Sequence, residues 1–236
     1  MKDDSPPMSE RFVRGDHDIT LQADAATLLF STAAAGDFAD PTERDTEWLE
    51  ELSSVKRERW AQDQQVHGTE VRVVDDAARS AAWSAPVDAQ LTTAPGVLCL
   101  VRVADCVPVL LAGSQGVGAV HAGWKGLHGG IIANAVTALR LRGAPPLTAA
   151  IGPCARGCCY EVGEDTLDLF SGVPQAARSG HRLDLADIAK AQLAALQVAD
   201  VVDTGLCTIC SEPDEFFSYR RDGGEAGRMI GAAWLN

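Results

Sequence analysis

Long apolar runs are missing from this 236-residue chain. Its longest, Val97 to Ala112, is broken by Arg102 and Asp105 and is too short and too charged to cross a bilayer. The opening Met-Lys-Asp-Asp-Ser-Pro-Pro places no apolar segment behind a basic one, so no secretory signal is expected. Basic residues are scarce: 20 Lys and Arg stand against 33 Asp and Glu, a formal net charge of -13. A surface of that sign repels nucleic-acid phosphates and anionic membranes, so neither is expected as a partner. An anionic substrate would need a locally positive pocket. Internal repeats and low-complexity linkers are absent from the body of the chain. The seven cysteines are odd in number and lack the spacing of a small secreted scaffold, which points to reduced thiols and a cytoplasmic location.

What is present reads as an α+β chain. Residues 1–16 are polar and Pro-containing and are expected to form a flexible tail, with 17–236 as one domain. Ile19 to Phe30 can supply strands, although its alternation is blurred. Thr42 to Gln62 carries Trp48, Leu49, Leu52, Val55 and Trp60 near one face, which predicts a helix. Short apolar or β-branched stretches at Val71–Val74, Val97–Val103, Val107–Leu111, Val117–Val120, Val198–Val202 and Phe216–Tyr219 predict strands. A polar, Ala-rich loop follows the first of them. Ile131 to Leu141 predicts a helix closed by Gly143 and two prolines, and Leu185 to Leu196 another with Asp184 as its N-cap. These elements do not alternate as βαβ units, so a mixed sheet is expected rather than a doubly wound fold.

Three blocks carry the chemistry: Gln-Val-His-Gly at 65–68, Ala-Asp-Cys-Val-Pro at 104–108 and Val-His-Ala-Gly-Trp-Lys-Gly at 120–126. His67, Cys106 and His121 each fall at an edge of regular structure. Taken singly, such residues are more often core or hydrogen-bonded groups. Taken together, two imidazoles and a thiolate suit a zinc-type ion and leave a fourth position open, as a catalytic site requires. The glycine-rich loop after His121 leads into the helix at Ile131. It reads equally as a tight turn and as an anion cradle to which Lys125 adds charge. Cys154, Cys158 and Cys159 share one loop, and Cys207 and Cys210 form a C-x-x-C. Reduced thiols are the preferred reading, with a structural zinc site or a disulfide drawn from Cys154, Cys158, Cys207 and Cys210 as the alternative.

The stretches QVHGTEV (65–71), ADCVPVLL (104–111), VHAGWKGLHGGI (120–131), AIGPCARGCCYEVGED (150–165) and CTICSEPDEFFSYRRDGGEAGR (207–228) resemble, in that order, the YfiH family. It is also called the laccase-domain or polyphenol oxidase family. The resemblance implies a single-domain α+β sandwich with flanking helices. It also implies one zinc on His67, Cys106 and His121, and phosphorolysis of purine nucleosides (adenosine, inosine, guanosine, methylthioadenosine), with adenosine deamination beside it. The chain departs from the family at Val103, usually Thr, at Lys125, often Arg, and over 17–63, where a Ser-Leu-Asn-Leu segment is not recognisable.

For proton transfer the candidates are Asp105 and Glu161. For substrate and phosphate they are Lys125, Arg220 and Arg221, with Arg228 as a further cation. The H-x-E and P-C-x-x-C blocks of zinc nucleobase deaminases are lacking: Ala-Gly follows His121, and Cys158 is the next cysteine after Cys154. Alternative functions are a cysteine hydrolase with Cys106 as nucleophile and His121 as base, a copper-dependent phenol oxidase, and an inactive metal-binding protein.

Overall fold

All six residues of β3 (Ala26–Ser31) are buried, which explains the blurred alternation of this stretch. A strand covered on both faces has no solvent side on which to place polar residues. The same holds for β8 (Val107–Gly113) and β9 (Gly116–Ala122). The computed structural model describes residues 8–23, 25–74, 85–145 and 147–236.

Among the described residues the chain builds two six-stranded sheets. The first runs β1 (Val13–Arg14), β2 (Asp18–Ala23), β3, β14 (Met229–Leu235), β7 (Leu98–Val103), β4 (Trp60–Ala61). The second runs β13 (Asp200–Asp203), β10 (Leu147–Ile151), β8, β9, β6 (Ala89–Thr92), β5 (Val71–Val73). β4–β7, β5–β6 and β10–β13 pair in parallel and the other neighbours antiparallel, so both sheets are mixed, as expected. β11 (Arg178–Ser179) and β12 (Arg182–Leu183) form a small ribbon.

The sheets pack face to face over Leu28, Phe30, Val101, Leu110, Val117 and Ala119. Outside the first sheet, Leu29, Leu98 and Leu100 meet Leu49 of α1 (Glu43–Ser53) and Trp60. Outside the second, Val109, Leu111 and Val120 meet α3 (Ile131–Arg140) and α5 (Leu185–Ala195). The result is a sandwich with helices on both outer faces. No helix among the described residues is long and apolar enough to cross a membrane.

Several boundaries differ from expectation. Residues 8–16 are not loose: Phe12 is buried, β1 pairs with β2, and Arg11 bonds Asp200. The first seven residues of the expected tail, and the Ala-rich loop after β5, lie outside the described residues. The helix expected over Thr42–Gln62 begins at a capping box between Thr42 and Asp45 and stops at Ser53. Ser54 adopts φ 58° there, turning Val55 into the core. Trp60 then joins β4 with its indole N–H donating to the Val55 carbonyl at 3.0 Å.

Phe216–Tyr219 is not a strand. Phe216 is a fully buried anchor, and the Ser218 hydroxyl caps α6 (Tyr219–Asp222) by accepting from the Arg221 N–H at 3.2 Å. The glycine-rich loop is itself largely helical, as α2 (Trp124–Gly129). Gly130, at φ 93°, provides the left-handed turn into α3 that a side chain would resist. A last short helix, α4 (Glu164–Leu169), precedes the ribbon.

Candidate functional site

Sheet register brings distant blocks together. Pro108 pairs with His121 across β8 and β9, setting Cys106, just before β8, against the end of β9. Ala89 pairs with Val120 across β6 and β9, and Val71 with Ala89 across β5 and β6, which delivers Asp88 and the 65–70 segment to the same corner. The ligand atoms of His67, Cys106 and His121 consequently lie within 4.8 Å of one another. The two imidazole rings meet edge to face, with centroids 4.8 Å apart.

Asp88, which the sequence reading missed, organises this corner. It is wholly buried and accepts backbone N–H bonds from Val66 (3.2 Å), His67 (2.9 Å) and Gly68 (2.7 Å). These bonds hold His67 at φ 59°, a left-handed conformation that costs a non-glycine residue of order 1 kcal/mol. Asp88 also takes the Nδ1–H of His121 at 2.8 Å, which fixes the orientation of the ring and makes Nε2 the nitrogen that would bind a metal once its proton is lost.

Space is reserved beside these side chains. A Cβ on Gly123 would stand 2.9 Å from Cδ2 of His67 and 3.1 Å from Sγ of Cys106. Burial opposes ionisation of Cys106, but the charges and hydrogen bonds of His121 and His67 outweigh it and bring the thiol down to about 6. Burial likewise opposes protonation of His121, yet Cys106 and Asp88 lift it to about 9. In the metal-free chain the pair is therefore thiolate and imidazolium. A soft divalent cation would take the proton's place between the same groups.

The three residues open into a cavity of about 750 Å³. Arg102, Arg220 and Arg228 line it together with Trp124, Tyr160 and Tyr219. Arg220 stacks over Tyr160, 4.7 Å from the ring centroid, and Arg228 over Tyr219 at 5.8 Å. Burial, aided by the nearby Arg228 charge, holds Arg102 below its ordinary value. Both the crowding of like charges and the desolvation would be relieved by a bound anion.

The other predicted residues divide. Arg220 reaches the cavity, but Arg221 does not line it. Its guanidinium donates instead to the carbonyls of Thr208, Ser211 and Phe216 and ties down the loop before α6. Lys125 is exposed, rests 5.5 Å from the Trp124 ring centroid and is not part of the lining. Asp105 does line the cavity, but its carboxylate is engaged. One oxygen accepts from the Thr208 hydroxyl and the other from the Arg220 N–H, both at 2.6 Å. Glu161 lies in an adjoining hollow of about 470 Å³ and pairs with Arg182 at 3.3 Å. Arg102 was visible in sequence only as a charge inside an apolar run. Asp88 left no signal at all.

The second cysteine set also differs from expectation. Cys159 and Cys210 form a disulfide rather than reduced thiols, while Cys154 is buried and free.

Residues 26–236 match the sequence profile of a family described as multi-copper polyphenol oxidoreductase laccase, including most of the stretch in which the sequence motifs were unrecognisable. A purine nucleoside phosphorylase of Xylella fastidiosa is 38% identical over 220 residues, covering 86% of this chain and 82% of the relative. Another, from Aquifex aeolicus, is 42% identical over 135 residues, and the match spans 57% of this chain and 65% of that protein. The crystal structure of the hypothetical protein YfiH from Bacillus licheniformis superposes with a TM-score of 0.84 at 25% identity, covering 97% of this chain and all of the other. With its sequence profile and its fold both matching, the chain belongs to this laccase-like, YfiH-type family.

Proposed function

We propose that the chain is a metal-dependent purine nucleoside phosphorylase, cleaving a purine nucleoside with phosphate to free base and ribose 1-phosphate. The observation that carries this reading is the arginine-lined, aromatic-walled cavity beside the His-Cys-His corner of an otherwise acidic protein. Arg102 and Arg228 supply charge for the phosphate dianion. Bidentate guanidinium contacts hold such an oxyanion in one orientation. Trp124, Tyr160 and Tyr219 offer faces on which a purine stacks. Asp105 acts as a positioning residue, since it holds the backbone of Arg220 at the cavity wall.

In the reaction the bond from C1′ to the base breaks as a phosphate oxygen bonds to C1′, and the base leaves with the electron pair. Positive charge develops on the ribose while phosphate is held close by. A zinc ion, or copper as the alternative, held by His67, Cys106 and His121 would supply Lewis acidity beside the nucleoside. The proposed substrates are adenosine, inosine, guanosine and methylthioadenosine.

A second reading rests on the Cys106–His121 pair. A thiolate beside an imidazolium is also the resting state of a cysteine nucleophile. One experiment separates the two. Protein of measured metal content is incubated with each nucleoside with and without phosphate, and products are followed by chromatography. Phosphate-dependent release of free base is expected, and no release from any purine nucleoside would refute the proposal. Inosine formed from adenosine without phosphate would add deamination at the same centre. Cys106→Ser is expected to lose metal and activity together, whereas lost activity with full metal retention favours the nucleophile.

A further inference from the structure

Cys158, Cys159, Cys207 and Cys210 place their four sulfur atoms within 4.8 Å of one another, and none of them lines the cavity. Cys159 and Cys210 are bonded as a disulfide, and Sγ of Cys158 lies 3.3 Å from Sγ of Cys210. A disulfide uses two of these cysteines and gives no reason for the other two to converge on it. One of the remaining pair, Cys207, is buried, and the other, Cys158, is exposed.

Their arrangement suits a tetrathiolate. Two ligands come from a C-x-x-C turn and two from a distant loop, and a tetrahedral zinc with bonds of ~2.3 Å spaces its sulfurs ~3.8 Å apart. Both loops are firmly held without a metal. Arg156 is buried and bonds Asp184 at 3.1 Å and Asp203 at 2.9 Å, fixing the chain just before Cys158. Thr208, inside the C-x-x-C, donates its backbone N–H to the Cys154 carbonyl at 3.0 Å and its hydroxyl to Asp105 at 2.6 Å. The cluster is separate from the His67 corner and uses none of its residues.

We propose that Cys158, Cys159, Cys207 and Cys210 form a second, structural metal site that takes zinc in the reduced protein, clamping the 156–160 loop to the 207–210 turn. A dithiol reductant first reduces the Cys159–Cys210 disulfide, its own two thiols becoming a disulfide. The four cysteine thiols then bind one zinc ion and release four protons. Through Thr208 and Asp105 this clamp braces the segment that carries Arg220. It does not depend on the reaction proposed above, and metal counting tests it whatever the cavity catalyses.

The test uses the full chain, kept under a dithiol reductant, supplied with zinc and freed of excess metal by gel filtration. Wild type is expected to hold two zinc ions per chain, His67→Ala one, and Cys158→Ser or Cys210→Ser one. Cys158 is exposed, so its replacement reads the site even where Cys210→Ser fails to fold. Cobalt loaded into His67→Ala is expected to give the intense sulfur-to-metal charge-transfer absorption of several thiolates, lost in the His67→Ala, Cys158→Ser double variant. A single zinc in wild type that is unchanged by Cys158→Ser would overturn the proposal. So would a chain that stays two mass units light under reductant, which would make the disulfide the lasting state of this cluster.

Discussion

Gly123→Ala is the sharpest test of the proposed metal corner, because it adds one methyl group where the backbone already permits it. Gly123 has φ −71° and ψ 168°, ordinary values for alanine, so no backbone strain confuses the result. The new Cβ would lie 2.9 Å from Cδ2 of His67 and 3.1 Å from Sγ of Cys106. Carbon atoms pack best at ~3.5–4.0 Å, so the His67 ring would have to recede by roughly 0.6–1 Å. Metal sites hold their ligand distances to within ~0.2 Å, and disturbing the orientation of a ligand costs about 10–100-fold in affinity. The expected result is a loss of metal affinity in that range, ~1.4–2.7 kcal/mol. Alanine in place of glycine before α2 adds only about 0.5–1 kcal/mol of folding cost, so the melting temperature should move by a few degrees. Zinc affinity is read by competition with a chromophoric chelator, and folding by thermal melting monitored by circular dichroism. An unchanged zinc dissociation constant in a folded Gly123→Ala protein would refute the assignment of His67 and Cys106 to one metal.

Three further outcomes follow from the same geometry. Asp88→Asn turns an amide N–H₂ toward donors that need an acceptor; each buried group left unsatisfied costs ~1–3 kcal/mol, and urea unfolding should show a loss of that order together with weaker metal binding. Arg228→Ala is expected to raise the KM for phosphate at least about tenfold with a smaller change in the nucleoside KM, since a charged hydrogen bond is worth ~1.5–3 kcal/mol; equal effects on both would place Arg228 away from the phosphate. The Asp200 carboxyl lies below its ordinary value, first because Arg11 donates to it, then against a burial cost and with help from Thr148. A lowered carboxyl stabilises the fold above its unfolded value and loses that contribution as pH falls through the folded one. Acid unfolding of Arg11→Ala should therefore diverge from wild type at neutral pH and converge with it under strongly acid conditions. A gap that persisted there would mean that Arg11 acts by packing alone.

Local chemistry was legible wherever a residue's neighbours constrain it. Asp184 reads as an N-cap and is one, accepting from Asp187 N–H at 2.9 Å. Ile131–Leu141 reads as a helix from its apolar spacing, and α3 ends within one residue of it. His67, Cys106 and His121 stood out because each reads as lying at an edge of regular structure with Gly or Pro within two residues, where side chains are commonly held out for use, although His121 proves to lie within β9 itself. Arg220 and Arg221 show where this stops. They are adjacent and identical in type, yet α6 turns successive side chains by ~100°, so one lines the cavity and the other ties down a loop.

Composition, charge, the helices at α3 and α5 and the His and Cys side chains offered to a metal were therefore legible in the sequence alone, because they depend on propensity and local spacing. Their convergence was decided by strand register: β5, β6, β9 and β8 pair so that residues 67, 88, 106 and 121 share one corner. Asp88 has an ordinary sequence context and acquires its role only there. A buried carboxylate becomes an organiser when the fold brings four donors to it and removes the water that would otherwise satisfy them.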